Sequence, residues 1–275
     1  MVWSCLVSIL PGMAQTEKLT DYVNPFVGTD GYGNVYPGAQ IPFGGIQISP
    51  DTDSRFYDAA SGYKYNHLTL MGFSLTHLSG TGIPDLGDFL FIPGTGEMKL
   101  EPGTHEDPDQ GYCSRYSHDK EWASPNYYAV ELADYGVKAE MTSGVRSGMF
   151  RFTYPESDNA FIMIDMNHTL WQSCEWSNLR MINDSTITGY KLVKGWGPER
   201  HVYFTATFSK KLTGLRFVQD KKPVIYNTSR FRSSYEAWGK NLMACISFDT
   251  KAGEEVTVKT AISAVSTDGA RNNMK

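Results

Sequence analysis

A two-residue hydrophobic period that recurs through the second half of the chain constrains its fold most strongly. Val137, Ala139 and Met141 alternate with Lys138, Glu140 and Thr142. A few residues later Gly148, Phe150, Phe152 and Tyr154 alternate with Met149, Arg151 and Thr153. Successive side chains of a strand point to opposite faces, so these are strands with one buried and one wetted face. Further runs rich in β-branched and aromatic residues lie at 160–166, 186–190, 201–209, 214–218, 242–248 and 256–263, with Gly, Pro, Asn and Asp between them. No long amphipathic helix interrupts this series. A sheet with one apolar face must bury it against another layer, so the sequence predicts an all-β fold. The economical form is an antiparallel β-sandwich with its core between about Tyr127 and Ser263.

The first half has a different grain. From Asn24 to Gly96 the chain is dense in Gly and Pro, and its apolar stretches, such as 45–49 and 88–92, are short. That composition belongs to long, shaped loops. The aromatic residues within it, among them Phe26, Tyr32, Tyr36, Tyr57, Tyr63 and Phe73, mark these loops as ordered.

Composition removes several classes of function. A chain of 275 residues that is 41% hydrophobic can bury a substantial core. With 25 basic against 30 acidic side chains, a net charge of -5 and no long basic run, it is not built to bind nucleic acid by neutralising phosphates. No uncharged stretch is long enough for a membrane span, and the most apolar run, Ala160 to Met166, is far too short. Cys5, Cys113, Cys174 and Cys245 are scattered without a C-x-x-C pair, and the six histidines are equally dispersed. The histidines therefore read as hydrogen-bonding groups, and no metal ligands are assigned. Gly31-Tyr-Gly33-Asn-Val-Tyr36 lacks the last glycine of a dinucleotide fingerprint, and neither a P-loop, a G-x-S-x-G elbow nor an H-E-x-x-H helix occurs. The segment Met1 to Gln15 has an apolar centre followed by Gly12 and Ala14, like the back end of a secretory signal without its basic start. This reading makes residues 1–18 a partial signal-like segment and places the protein in an exported, periplasmic or extracellular setting.

The informative motifs lie in the loops. They are Tyr22-Val-Asn-Pro-Phe-Val-Gly-Thr-Asp30, Tyr36-Pro-Gly-Ala-Gln-Ile-Pro-Phe-Gly44, Gln47-Ile-Ser-Pro-Asp-Thr52, Ser61-Gly-Tyr63, and Gly72-Phe-Ser-Leu-Thr-His-Leu-Ser-Gly-Thr-Gly82 running into Asp85-Leu-Gly-Asp88. Flat rings, hydroxyls, carboxylates and glycines that admit close backbone approach suit a polyhydroxylated ligand such as a sugar. In order and wording these motifs closely resemble the N-terminal domain of glycoside hydrolase family 92, the calcium-dependent exo-acting α-mannosidases. Glu121-Trp-Ala-Ser-Pro-Asn-Tyr-Tyr128, the segment 134–142 and Arg151-Phe-Thr-Tyr-Pro155 extend the resemblance, which runs from about Tyr22 to the C-terminus.

The resemblance implies an N-terminal β-sandwich, here residues 19–264, followed by a linker beginning at 265–275 and a C-terminal helical barrel. In the family the acid, the base and most calcium ligands belong to the barrel, so no catalytic residue is assigned within this chain. Sandwich loops in the family close one side of a terminal mannose pocket. By that correspondence Tyr57, Asp58, Thr29 and Asp30 are expected to contact a mannose-containing glycan. Where many family members have W-D-x-x-S-G-Y, this chain has Tyr57-Asp58-Ala-Ala-Ser61-Gly62-Tyr63, with a smaller ring. Tyr57 and Asp58 read either as a pocket wall and hydroxyl acceptor or as organisers of a loop. His77, Ser79, Gly80, Gly82, Asp85 and Asp88 are expected to organise loops. The alternative left open is a stand-alone carbohydrate-binding module without catalysis.

Overall fold

The computed structural model describes residues 17–53, 59–225 and 236–275. The signal-like segment Met1 to Gln15 therefore lies outside the described residues, as do Tyr57 and Asp58. In chain order the first strands are β1 (Ser49–Asp51), β2 (Thr69–Leu70), β3 (Gly72–Ser74), β4 (Leu90–Thr95), β5 (Ser114–Arg115), β6 (Glu121–Ser124) and β7 (Tyr127–Leu132). There follow β8 (Val137–Ser143), β9 (Ser147–Tyr154), β10 (Ser157–Asp165), β11 (Ser173–Asn183), β12 (Thr186–Lys194) and β13 (Arg200–Phe208). The last are β14 (Gly214–Gln219), β15 (Lys222–Pro223), β16 (Glu236–Gly239), β17 (Leu242–Thr250) and β18 (Glu254–Ser263), and the helix α1 (Thr267–Asn273) closes the series.

These strands form two large antiparallel sheets, which establish the all-β sandwich. The nine-stranded sheet runs β16-β11-β12-β13-β18-β9-β8-β7-β6, and the seven-stranded sheet runs β1-β3-β4-β10-β17-β14-β15. The alternating segments lie where their pattern demands. Ala139 pairs with Phe152 and Met141 with Phe150, so the apolar sets of β8 and β9 share one face. Phe150 and Phe152 stack with ring centroids 5.4 Å apart. Phe91 of β4 meets Phe150 at 4.9 Å from the opposite sheet, and Phe73 of β3 lies 6.5 Å from both rings.

The segment 160–164 does not alternate because β10 is buried on both sides. Ile162 and Ile164 join the core between the sheets, whereas Phe161 and Met163 join a second cluster with Leu90, Ile92, Tyr112 and Cys113. A strand covered on both faces keeps an unbroken apolar run. Two features differ from the sequence reading. The loop-like first half supplies β1, β3 and β4 to the seven-stranded sheet, and two of these are only three residues long. The eleven-residue β11 shows no clear two-residue period because register shifts at Cys174/Trp176 and Met181/Asn183 move side chains between faces.

At the C-terminal end, the Ser266 hydroxyl caps α1 by accepting from the Gly269 amide at 2.9 Å. The helix rests on β18, β13 and β12. No helix among the described residues is long and apolar enough to cross a membrane.

Close packing fixes one glycine in the sandwich. A Cβ on Gly189 of β12 would come within 2.3 Å of the Phe204 ring and 2.7 Å of the Asn178 carbonyl oxygen. Gly189→Ala is expected to destabilise the chain by roughly 1–3 kcal/mol through overpacking. A denaturant midpoint unchanged from the wild type would contradict this account of the core.

Candidate functional site

The loop motifs meet over a base of buried charge. Asp51, at the end of β1, is fully buried and uses both carboxylate oxygens. His77 Nε2 donates to Oδ1 and His168 Nε2 to Oδ2, each at 2.8 Å. His77 Nδ1 lies 2.8 Å from the Gln47 carbonyl oxygen. Burial alone would raise the Asp51 carboxyl, but the two imidazoles outweigh it and hold the group well below the usual carboxylate range. Gly62 is the close neighbour of this triad. Its φ is +88°, and a Cβ there would lie 2.1 Å from Asp51 Oδ1.

A second buried cluster surrounds Asp88. Lys191 Nζ is 3.2 Å from its Oδ1, Arg200 forks onto both oxygens, and the Thr76 hydroxyl donates to Oδ2 at 2.7 Å. Burial again opposes ionisation and is again overcome, here by the lysine and the guanidinium, so Asp88 is also held low. Lys191 Nζ donates to the His168 carbonyl at 2.6 Å, which joins the two clusters. Asp85 accepts from the backbone amides of Leu86 at 2.6 Å and Trp196 at 3.2 Å, tying its own turn to the loop before β13.

A third hub is Glu121. It accepts from the Tyr63 hydroxyl at 2.9 Å, from the Tyr128 hydroxyl, and from His118 Nδ1 at 2.6 Å. His118 Nε2 donates to the Tyr65 carbonyl at 2.7 Å, and its ring stacks on Tyr65 with centroids 3.9 Å apart. Burial first, and then nearby charge including Glu121, push the Tyr63 hydroxyl far above the usual tyrosine range. Asp53, also buried, lies 3.1 Å from His105 Nε2.

The outer loops hang from these hubs. Thr29 is buried, donates its hydroxyl to the Phe26 carbonyl at 2.8 Å, and accepts from the Tyr65 amide with its own carbonyl. Asp30 is exposed and caps the Gly31 amide at 2.7 Å. Ser79, Gly80 and Gly82 are exposed, and the Gly80 amide donates to the Asn34 carbonyl at 2.7 Å, joining the loop at 28–36 to the loop at 77–88. Tyr57 and Asp58 belong to the segment between Asp53 and Ala59 that lies outside the described residues. Sequence reasoning read His168 only as a hydrogen-bonding histidine and gave no role to Lys191, Arg200 or Glu121. Lys191 had a legible signal: it occupies the inward series Ile187, Gly189, Lys191, Val193 of β12, where a charge requires a buried partner.

No group of three or more His, Cys, Asp or Glu side chains among the described residues is placed to hold a metal ion. Asp51 and Asp88 are each occupied by cationic or imidazole donors. The described residues therefore do not fit a calcium site, and their buried carboxylates act as posts for loops.

Residues 22–263 match the glycosyl hydrolase family 92 N-terminal domain, and the chain belongs to this family. The fold is that of the family GH92 inverting mannosidase from Bacteroides thetaiotaomicron VPI-5482, with a TM-score of 0.76 at 24% identity over 94% of this chain. It is also similar to the GH92 family glycosyl hydrolase ccman5, with a TM-score of 0.76 at 27% identity over 92% of this chain. An uncharacterized secreted glycosidase of Arthroderma benhamiae is 30% identical over 145 residues, half of this chain. The chain spans 34% and 33% of the two solved proteins and 17% of the fungal one.

The electrostatics carry a pH dependence. Asp51 and Asp88 have depressed values in the folded state, so their stabilisation is complete above the unfolded carboxylate value of about 3.9 and is lost as pH falls toward their folded values. The denaturant midpoint is expected to drop on acidification below about pH 4. Asp88→Asn, which leaves the Lys191 ammonium without its counter-charge, should cost roughly 3–5 kcal/mol at neutral pH and flatten that acid slope. Equal stability of variant and wild type at pH 7 would contradict the assignment.

Proposed function

We propose that this chain is the sandwich portion of an exported, inverting α-mannosidase that removes terminal α-mannosides from glycans. The family match over residues 22–263, combined with motif loops braced on one buried base, is the observation that carries this reading. Inversion needs a protonated acid and a base-held water on opposite faces of the sugar. The acid, the base and the calcium that holds the sugar are assigned to a C-terminal helical barrel. The sandwich supplies one wall of the pocket: Tyr57 as a ring against the sugar face, Asp58 as a hydroxyl acceptor, and Thr29 and Asp30 on the neighbouring loop. His77, Ser79, Gly80, Gly82, Asp85 and Asp88 keep that wall in place. The apolar segment before residue 16 and the secreted glycosidase among the relatives support export.

Release of mannose from an α-linked substrate by this chain joined to its barrel, with and without calcium, tests the reading. The joined protein should be active and calcium-dependent, and the 275-residue chain alone inactive. Tyr57→Ala and Asp58→Ala should each lower kcat/KM by roughly tenfold or more while leaving the unfolding midpoint unchanged. Glycan binding without mannose release by the joined protein would favour the carbohydrate-binding module, and full activity of the double variant would remove Tyr57 and Asp58 from the pocket.

A further inference from the structure

A cleft of about 910 Å³ opens beside the ionic base, bounded by the segment after β10, the turn before β17 and the cover over the seven-stranded sheet. Its size is that of a small-molecule site. Met71 and His168 are among its lining residues. The Met71 amide donates to the Asp51 carbonyl at 2.8 Å, and His168 holds the Asp51 carboxylate, so two residues of the cleft lining also bond the post that supports the motif loops.

Three side chains in this cleft are set for a ligand rather than for packing. Trp171 is 65% exposed although its backbone is left-handed, with φ of +76°. A bulky residue in that conformation is strained, and no burial of the ring offsets the strain. Gln172 donates its amide to the Pro84 carbonyl at 2.7 Å, whereas its Oε1 is buried without a hydrogen-bond partner among the described residues. Buried acceptors of this kind are uncommon and call for a partner. Asp165 accepts from the Asn167 amide at 2.7 Å through Oδ1 and also from the His168 backbone, while the Tyr112 hydroxyl reaches Oδ2 only at 3.5 Å, the outer limit of a hydrogen bond. Burial pushes its carboxyl upward, consistent with a poorly solvated acceptor.

The charges around the cleft decide the class of ligand. Lys240 pairs with Glu175 at 3.2 Å, Lys221 pairs with Glu101, and Asn241 donates to Asp220 at 2.8 Å. Both signs are present and paired, so there is no field for a phosphate or another anion. An exposed indole lining the same cleft as a weakly bonded carboxylate and an unsatisfied amide oxygen matches a neutral ligand with an apolar C–H face and hydroxyl donors. We propose that this cleft is a second glycan-binding site, taking a short neutral mannose oligosaccharide with a sugar face on Trp171 and hydroxyls donated to Asp165 and Gln172. The site requires no catalysis; the choice of mannose rests on the mannosidase reading, whereas the cleft and its side chains do not.

Calorimetric titration of the 275-residue chain with α-linked mannotriose tests it. Saturable binding with Kd of roughly 1 mM or tighter is expected, accompanied by a change in tryptophan fluorescence. Trp171→Ala and Asp165→Asn should each weaken binding by roughly tenfold, Trp171→Phe should retain part of it, and Trp176→Ala, which alters an exposed indole outside the cleft, should bind like the wild type. Absence of mannotriose binding would overturn the proposal. So would equal losses in Trp171→Ala and Trp176→Ala, or binding that is lost in Tyr57→Ala and kept in Trp171→Ala. A joined enzyme that lacks mannosidase activity while the chain retains Trp171-dependent binding would refute the proposed function and leave this site standing.

Discussion

The buried ammonium of Lys191 ties the two sheets together. It projects inward from β12 of the nine-stranded sheet and meets Asp88, just before β4, and the His168 carbonyl, just after β10, both from the seven-stranded sheet. Lysine and aspartate are each fully buried there. Desolvating both charges is costly, and their attraction offsets that cost only when geometry and additional hydrogen bonds are good. Arg200 and Thr76 complete the shell around Asp88. An apolar pair could fill the same volume, but it would not fix where the loop ends sit, and these ions do so because each has several directional partners.

The loops depend on that anchor in sequence. His168, held by Lys191 through its carbonyl, presents its ring to Asp51, and Asp51 in turn holds His77 and packs against Gly62. Glu121 fixes Tyr63 from the other side, while Tyr65 carries the connection to His118 and Thr29. The carboxylates of Asp51, Asp88 and Glu121 are consumed in this bracing. What remains at the surface is a set of exposed loop residues, including Asp30 and Ser79, whose backbones are fixed and whose side chains face solvent.

This arrangement gives the Asp51 post two sides. One imidazole partner, His77, belongs to the motif loops, and the other, His168, lines the cleft that holds Trp171. Under the two proposals above, one base would serve carbohydrate recognition both at the motif loops and in the cleft. Exposed aromatic rings on ordered backbone suit such recognition because little conformational freedom is lost on binding.

The sequence by itself determined the sheet-forming segments with a two-residue period, because alternation is a local consequence of strand geometry. It also carried the family identity, since the motifs around Thr29, Gly62, His77 and Asp88 keep their order whatever their contacts. Only the tertiary structure decided that β1, β3 and β4 join the second sheet, because strands of three to six residues carry too little pattern to stand out from loop. The same holds for charge pairing. Asp51 and His168 are 117 residues apart, and Asp88 and Arg200 are 112 apart, so no local spacing links them. A carboxylate beside proline reads from sequence as a turn acceptor, and Asp85, next to Pro84, accepts from the Leu86 amide. Whether it instead binds a cation depends on which distant strand is brought over it, and that is set by the packing of one sheet upon the other.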